Sequence, residues 1–402
     1  MTAANGAPRT LESESERLNG LYTPAFGVKI AGRELPAEVL GDIASVTYED
    51  SVRALDGFEL VVGNADVTGQ PGRYVGAETA DELSGSSDAS QRYRLFEPSR
   101  DTVELSMGYL SETRVMISGT IITMDPEFPA RGPVVLRVRG VNALHALRRK
   151  PYTTAWVNKK DSEIATSLGG LTDPDSGQAR FPLPVRVSDE ARGIEAPIPY
   201  VLQENQHDVE FLMQRAKLRG YVLSVGRDGD EPYLYFGPSG SDVRRRVEYE
   251  LVYGGSLLSF RPWLTTLRQV RSVTVRGWDR DTNQLIAETV GADDTRLETN
   301  RDLDRILDRV DSREDVIVDK PVSTIAEAQA LAFDLLRERR NEFVRASGTT
   351  IGLADLRAGC RVRISGVGAR FGGTYYVTGT THTHDGNGYR TQFRARREEE
   401  AS

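Results

Sequence analysis

Two histidines near the end of the chain are the side chains best suited to hold a metal. His382 and His384 are two positions apart in a run of β-branched residues, so a strand would place both rings on one face. Zinc sites in proteins need three or four ligands, and the nearest further candidate is Asp385 in the following turn. We therefore expect two imidazoles on a half-exposed strand face and no metal site.

No familiar catalytic motif stands out. His145 and His207 stand alone, and the sequence has no GxSxG elbow, HExxH pair or Walker loop. Trp278, at the end of a strand, is of a type that most often fills a core. We predict no catalytic, cofactor-binding or metal-binding residue and no enzymatic activity. Because Asp and Glu number 59, a carboxylate pair for glycoside cleavage stays open, and the alternative is a β-rich cell-wall hydrolase or carbohydrate-binding protein.

Length and charge limit the other function classes. A chain of 402 residues exceeds the size, about 250–300 residues, at which one hydrophobic core stops growing, so two or more domains are expected. The net charge of -8 argues against binding to nucleic acid. The basic runs at 244–246 and 394–397 have acidic neighbours and are interpreted as solvated faces.

The single cysteine and the hydropathy pattern bear on location. Cys360 has no second cysteine with which to form a disulfide or a thiolate metal site, so we expect assembly in a reducing cytoplasm. The N-terminal polar segment, 1–24, lacks the apolar core of a signal peptide. A membrane-spanning helix needs about 20 consecutive apolar residues. No apolar run in the sequence approaches that length, so no membrane insertion is expected.

The first large segment, 25–150, is predicted to form a β-barrel. Arg137 and Arg139 alternate with Leu136 and Val138, which is typical of a sheet with one wet face. A Gly-, Ser- and Asp-rich stretch at 64–92 is predicted to be a mobile loop. The predicted strands cover 58–62, 102–107, 115–124 and 134–141.

The middle segment, 151–264, is predicted to be an inserted α+β domain. Its best helix spans 205–219, where apolar residues recur at helical spacing before Gly220. The other elements are a short helix at 158–167 and strands at 221–225 and 233–236, joined by a turn at 228–230.

The last segment, 265–398, is predicted to be a second β-barrel. A charged stretch at 291–314 is expected to be an exposed excursion. A helix at 323–342 begins where Thr324 and Glu327 have capping-box spacing. The predicted strands cover 270–278, 285–290, 343–351, 360–365, 374–384 and 388–396.

The two β-rich ends match each other. The match pairs 103–106 with 362–365, then 115–125 with 375–385, and finally 136–139 with 393–396. Amphipathic strands resemble one another by chance, but the ordered succession favours a duplicated barrel with Gly119 and Gly379 at equivalent places. Two similar barrels per chain would let a homotrimer present a ring of pseudo-six-fold symmetry.

Three segments resemble the phage late control gene D family: VLQENQHDVEFLMQRAKLRG at 201–220, VRSVTVRGWDRD at 270–281, and the run 345–397. That family includes tail hub proteins of contractile phages, hubs of extracellular contractile injection systems and the head region of type VI secretion VgrG proteins. The resemblance extends from about residue 26 to 397, and it depends on the ordered succession of segments.

The resemblance implies a structural baseplate hub: a trimer of two tube-like barrels with an inserted α+β domain, between the hexameric tail tube and a trimeric spike. Its expected partners are the inner tube protein, the spike protein and other baseplate components. The sequence ends soon after the second barrel, so the spike is expected to be a separate chain. The particle would be a phage virion or a contractile injection system, and the enzymatic alternative becomes a tail-associated hydrolase.

Overall fold

The computed structural model describes most of the chain. The predicted mobile loop at 64–92 and the turn at 228–230 lie largely outside the described residues. Those residues are 8–19, 23–52, 54–65, 72–75, 94–98, 101–142, 144, 148, 150–181, 183–219, 221–228, 231–238, 247–279, 282–295, 297, 301–308, 313–320, 322 and 324–397.

The first β-unit follows a short N-terminal helix. Along its strands, buried side chains such as Phe58, Leu60 and Val62 alternate with partly exposed ones. One face of each strand is therefore apolar, and the strands form a sheet over a core. The elements are α1 (Leu11–Arg17), β1 (Pro24–Ile30), β2 (Arg33–Glu34), α2 (Ala37–Gly41), β3 (Ile43–Ser51), β4 (Gly57–Gly63), β5 (Val103–Tyr109), β6 (Glu112–Glu127) and β7 (Val135–Asn142).

The middle of the chain is an α+β segment, as predicted. The expected helix begins at Asp208 and buries Val209, Leu212 and Ala216 against two small sheets, β10-β8 and β11-β12-β9. The elements are β8 (Tyr152–Lys159), α3 (Asp161–Gly169), β9 (Val185–Val187), α4 (Asp189–Ile194), β10 (Ile198–Gln206), α5 (Asp208–Arg219), β11 (Tyr221–Asp228) and β12 (Glu231–Pro238).

The second β-unit is interrupted by a separate small sheet, β16-β15-β17, on which α7 packs. The capping box of α7, between Thr324 and Glu327, is confirmed. The elements are β13 (Val247–Val252), β14 (Leu257–Leu264), β15 (Ser272–Asp279), β16 (Gln284–Gly291), α6 (Arg301–Leu307), β17 (Glu314–Ile317), α7 (Ile325–Asn341), β18 (Val344–Ile351), β19 (Arg361–Ser365), β20 (Gly373–Asp385) and β21 (Gly388–Arg397).

Two expectations for this region need correction. The second unit was expected to begin at residue 265, but β13 and β14 pair with β19 and β18, so its strands begin at Val247. The stretch 291–314 was expected to be an exposed excursion, but α6 lies within it. Leu303 and Leu307 of that helix are buried in the core of the second unit.

The two units share one topology. The first has the pairing order β3-β4-β7-β6-β5-β1 and the second β14-β18-β21-β20-β19-β13, so each of these six strands has a counterpart at the same place in both chain order and sheet order, and only β2, beyond β1, has none among the described strands. Equivalent strand pairs carry the same irregularities, after Ile43 and Leu257 and after Ile121 and Val377. The units also differ: β1 is antiparallel to β5, whereas β13 is parallel to β19, and the irregularities after Leu105 and after Val247 occur in one unit only.

The mainly β fold with an α+β insert is therefore confirmed, and the β-units are related. Among the described strands, neither pairing order closes on itself through hydrogen bonds. Gly119 and Gly379 lie on the equivalent strands β6 and β20, but at different positions. Gly119 lies two residues before the irregularity after Ile121, and Tyr375 lies two residues before the equivalent one after Val377, so these two residues correspond. The bulge, and not the Gly-Thr motif, sets the alignment of the two strands.

Candidate functional site at the junction of the two units

The two β-units meet where β3 lies along the second half of β20. Residues Gly379–His384 face Ser51–Val46 in an antiparallel register. The pairing merges both units into one sheet of 13 strands. This junction gathers ionisable groups from distant parts of the chain.

Asp50 is the acceptor at the centre of the junction. Its side chain, 8% exposed, accepts hydrogen bonds from the Thr380 backbone N–H at 3.0 Å and the Ala358 N–H at 3.1 Å. The Thr380 hydroxyl donates a further bond. Burial raises the pKa of Asp50, and these donors together with Arg357 oppose the rise.

Arg357 connects the second unit to the first. Its guanidinium donates to the carbonyls of Ala354 at 2.8 Å and of Met116 and Val115 at 3.3 Å each. It lies 4.6 Å from the centroid of the Tyr48 ring and 4.0 Å from the Asp50 carboxylate. Arg357 therefore tethers the loop before β19 to the start of β6.

His382 is fully buried, and both of its ring nitrogens have partners. Nε2 lies 3.0 Å from the Leu356 carbonyl, which can only accept, so Nε2 carries the proton. Nδ1 accepts from the hydroxyls of Tyr389 at 2.9 Å or Thr391 at 3.1 Å. Burial lowers the pKa of His382 well below its ordinary value, and the Arg357 charge lowers it further, so the ring is neutral.

Asp56 adds a second carboxyl to the cluster. Burial raises its pKa to about 7, and the charge of Asp50 contributes to the rise. The Asn142 amide donates to Asp56 at 3.2 Å. At neutral pH the junction therefore holds a carboxyl near the midpoint of its titration.

The histidines and the cysteine that were considered as candidate ligands do not form a site. His384 lies on the same strand face as His382, and its ring meets Phe26 edge-on at 4.9 Å. Cys360 is buried, with Sγ 3.1 Å from a Glu248 carboxylate oxygen. His207 lies beside the start of α5, away from the junction, and His145 lies outside the described residues.

The interpretation of Trp278 as a core residue was wrong, since its side chain is 50% exposed. Trp278 lies on the face of β15 opposite Val273 and Val275, the residues that pack in the core beneath α7. The strand was recognised correctly, but only the position of α7 shows which face is covered.

No sequence motif marks the junction cluster. Asp50, Asp56 and Arg357 stand in no motif, and only the pairing of β3 with β20 brings them together. Within the part of the chain described here, no three His, Cys, Asp or Glu side chains are arranged to hold a metal ion. In that same part, no helix is long and apolar enough to cross a membrane.

Comparison with known proteins places the chain in a family. A family profile with the description Alg8 N-terminal domain matches residues 81–385, which is more than half of the chain. The chain belongs to the Alg8 N-terminal domain family. Among curated proteins, no sequence matches it.

Solved structures of tail proteins share the fold of this family member. A tail protein from Neisseria meningitidis MC58 has a TM-score of 0.63 at 14% identity, over 94% of this chain and 97% of that one. The 43 kDa tail protein of prophage MuSo2 from Shewanella oneidensis has a TM-score of 0.64 at 15% identity, over 93% and 98%.

An Escherichia coli component of the type VI secretion system shares the fold as well. It has a TM-score of 0.53 at 12% identity, over 93% of this chain and 77% of that one. That component is described as structurally similar to two T4 bacteriophage tail proteins. At these identities the likeness concerns the fold.

Proposed function

We propose that this protein is a structural baseplate hub of a contractile injection system or phage tail. In this proposal it is a homotrimer that adapts a hexameric tail tube to a separate trimeric spike, and it has no catalytic role. The late control gene D and VgrG-type hubs are its proposed relatives. The hub would be assembled in the bacterial cytoplasm and then become part of the particle.

The observation that carries the proposal is the duplicated β-unit. Both units have the same chain order and pairing order and share two bulge positions, and β3 and β20 hold them side by side in one sheet. Three chains with two units each present six similar edges around one axis, which fits a six-fold tube on one side and three-fold partners on the other. The shared fold with tail proteins and with a type VI secretion component supports this use of the units.

The proposal is tested by co-expressing the chain with the inner tube and spike proteins of the same particle and purifying through a tag on the chain. Both partners should co-purify, and images of the complex should show a ring with six lobes. A β-rich protein of similar size with the same tag serves as the control.

Two results would contradict the hub function. One is a chain that stays strictly monomeric both alone and with folded tube and spike proteins. The other is clearing of peptidoglycan by the purified chain, which would support the hydrolase alternative.

A further inference from the structure

The intramolecular junction pairs one strand of each β-unit, and each of these strands has a counterpart in the other unit. Within one chain, β3 pairs with the second half of β20. The topological counterpart of β20 is β6, and that of β3 is β14. The shared bulges after Ile121 and Val377, and after Ile43 and Leu257, fix these counterparts residue by residue.

The counterpart edges are both open in the part of the chain that the structure describes. Beyond Gly119, β6 pairs with β7 alone, because its pairing with β5 ends there. Along 259–264, β14 pairs with β18 alone and forms one end of the large sheet. Open edges of this kind present unpaired backbone groups that invite another strand.

Transferring the register of the junction brings complementary residues together. In the junction Thr380 faces Asp50 and Thr383 faces Thr47. The same offsets place Met124 opposite Leu264, Asp125 opposite Trp263, Pro126 opposite Pro262 and Glu127 opposite Arg261. Two of these four pairs are matched in character, one apolar and one of opposite charge.

Large apolar side chains are exposed along both edges. On the β6 side Ile122 is 42% and Phe128 57% exposed. On the β14 side, within the transferred register, Trp263 is 39% exposed. Pairing of the two edges would remove these side chains from water, which favours association.

We propose that the second half of β6 in one chain pairs antiparallel with β14 of a second copy of this chain, in the register of the β3–β20 junction. This inference rests on the proposed hub function, and it names the strands and residues that close the ring. The contact is heterologous, because each chain offers β6 on one side and β14 on the other, and such contacts close into a ring when three copies are related by a three-fold rotation.

The opposed prolines limit what this contact can use. Neither Pro126 nor Pro262 can donate a backbone hydrogen bond, and proline at a strand edge blocks indiscriminate pairing. We therefore expect fewer ladder hydrogen bonds than in the β3–β20 junction. Side-chain pairs such as Glu127 with Arg261 supply part of the specificity instead.

Engineered cysteines test the register. In the double variant Asp125→Cys, Trp263→Cys, the two thiols of neighbouring chains are directly opposite, within the Cα separation that a disulfide requires. Mild oxidation should therefore give a covalent trimer on a non-reducing gel. The native Cys360 is buried and contributes little background. The matched control is Asp125→Cys, Leu258→Cys, whose second cysteine lies on the same strand but out of register.

Charge reversal tests the specific pair. Glu127→Arg and Arg261→Glu should each weaken self-association about tenfold, and the double reversal should restore it to within about threefold of the parent. The double reversal also controls for the intramolecular ion pair of Glu127 with Arg137, at 3.4 Å.

The outcomes separate the pairing from the hub function. A ring-shaped trimer that forms no cross-link through position 263, or cross-links equally through 258, overturns the pairing and leaves the hub standing. A chain that forms neither the cross-link nor a ring, even with tube and spike proteins present, overturns both.

Discussion

Replacing Arg357 by methionine should loosen the junction of the two β-units. The variant keeps most of the side-chain volume but removes the charge 4.0 Å from Asp50 and the donors to the carbonyls of Ala354, Met116 and Val115. The arginine side chain is 22% exposed and that of Asp50 is 8% exposed.

The cost follows from these contacts. Removing one partner of a fully buried ion pair costs about 3–5 kcal/mol. Asp50 keeps its bonds from Thr380 and Ala358, and Arg357 is partly solvated. We therefore expect Arg357→Met to lower the free energy needed to open the junction by about 3 kcal/mol, with the lost hydrogen bonds to the carbonyls included. The arginine lowers the pKa of Asp50, so without it that pKa rises further and the loss should be larger at pH 8 than at pH 5.

Amide hydrogen exchange measures this opening, because a chain with several cores does not unfold in a single step. Exchange at the Thr380 and Ala358 amides should accelerate by about 100-fold in Arg357→Met. In an Asp50→Asn background the same change should cost about half as much, since no carboxylate is left unpaired. Arg139→Met, at an arginine side chain that is 47% exposed, should change exchange less than threefold, by about 0.5 kcal/mol at most.

The reasoning would be refuted if Arg357→Met changed exchange at these two amides less than about threefold. The strand pairing alone would then hold the units together. An equal cost with and without the Asp50 carboxylate would contradict the coupling of the pair.

Three further predictions concern single side chains. Asp56→Asn should stabilise the protein by about 2 kcal/mol at pH 8 and little at pH 4. In the folded wild type the pKa of Asp56 is raised to about 7, so the wild type loses stability as pH rises from 4 through 7. Thermal unfolding of both proteins at pH 4 and pH 8 measures the difference, and an equal shift at both pH values would contradict the prediction. Gly119→Ala should cost at least about 2 kcal/mol, because its Cβ would lie 1.9 Å from the Val141 carbonyl oxygen. Gly41→Ala, whose added Cβ would have nothing within 4 Å, should be near neutral when both variants are compared by amide hydrogen exchange. His382→Gln should lower the stability by about 1–3 kcal/mol, because the buried imidazole loses its hydrogen bonds, and His384→Gln should lower it less. Trimer assembly and metal content should be unchanged in both variants. Stoichiometric zinc in the wild type, measured by elemental analysis, would overturn the prediction of no metal.

Local pattern determined the fold class and many of the helices and strands. Alternation at Phe58, Leu60 and Val62 predicts a strand, and the capping box of Thr324 and Glu327 predicts the start of α7; both hold because neighbouring residues alone decide them. The order of strands at the two ends of the chain was enough to predict the duplication. Similar strands in the same sequence order fold into the same topology.

Register, exposure and long-range contacts were decided only by the tertiary structure. Backbone hydrogen bonds carry no sequence code, so the bulges that offset Gly119 from Gly379 could not be read from the sequence. Burial depends on what covers a face, which is why Trp278 proved exposed. Asp50 and Ala358 are 308 positions apart in the sequence. Only the pairing of β3 with β20 brings Asp50, Arg357 and Thr380 into one cluster. Such contacts depend on the whole sheet, because no local preference links segments so distant in the chain.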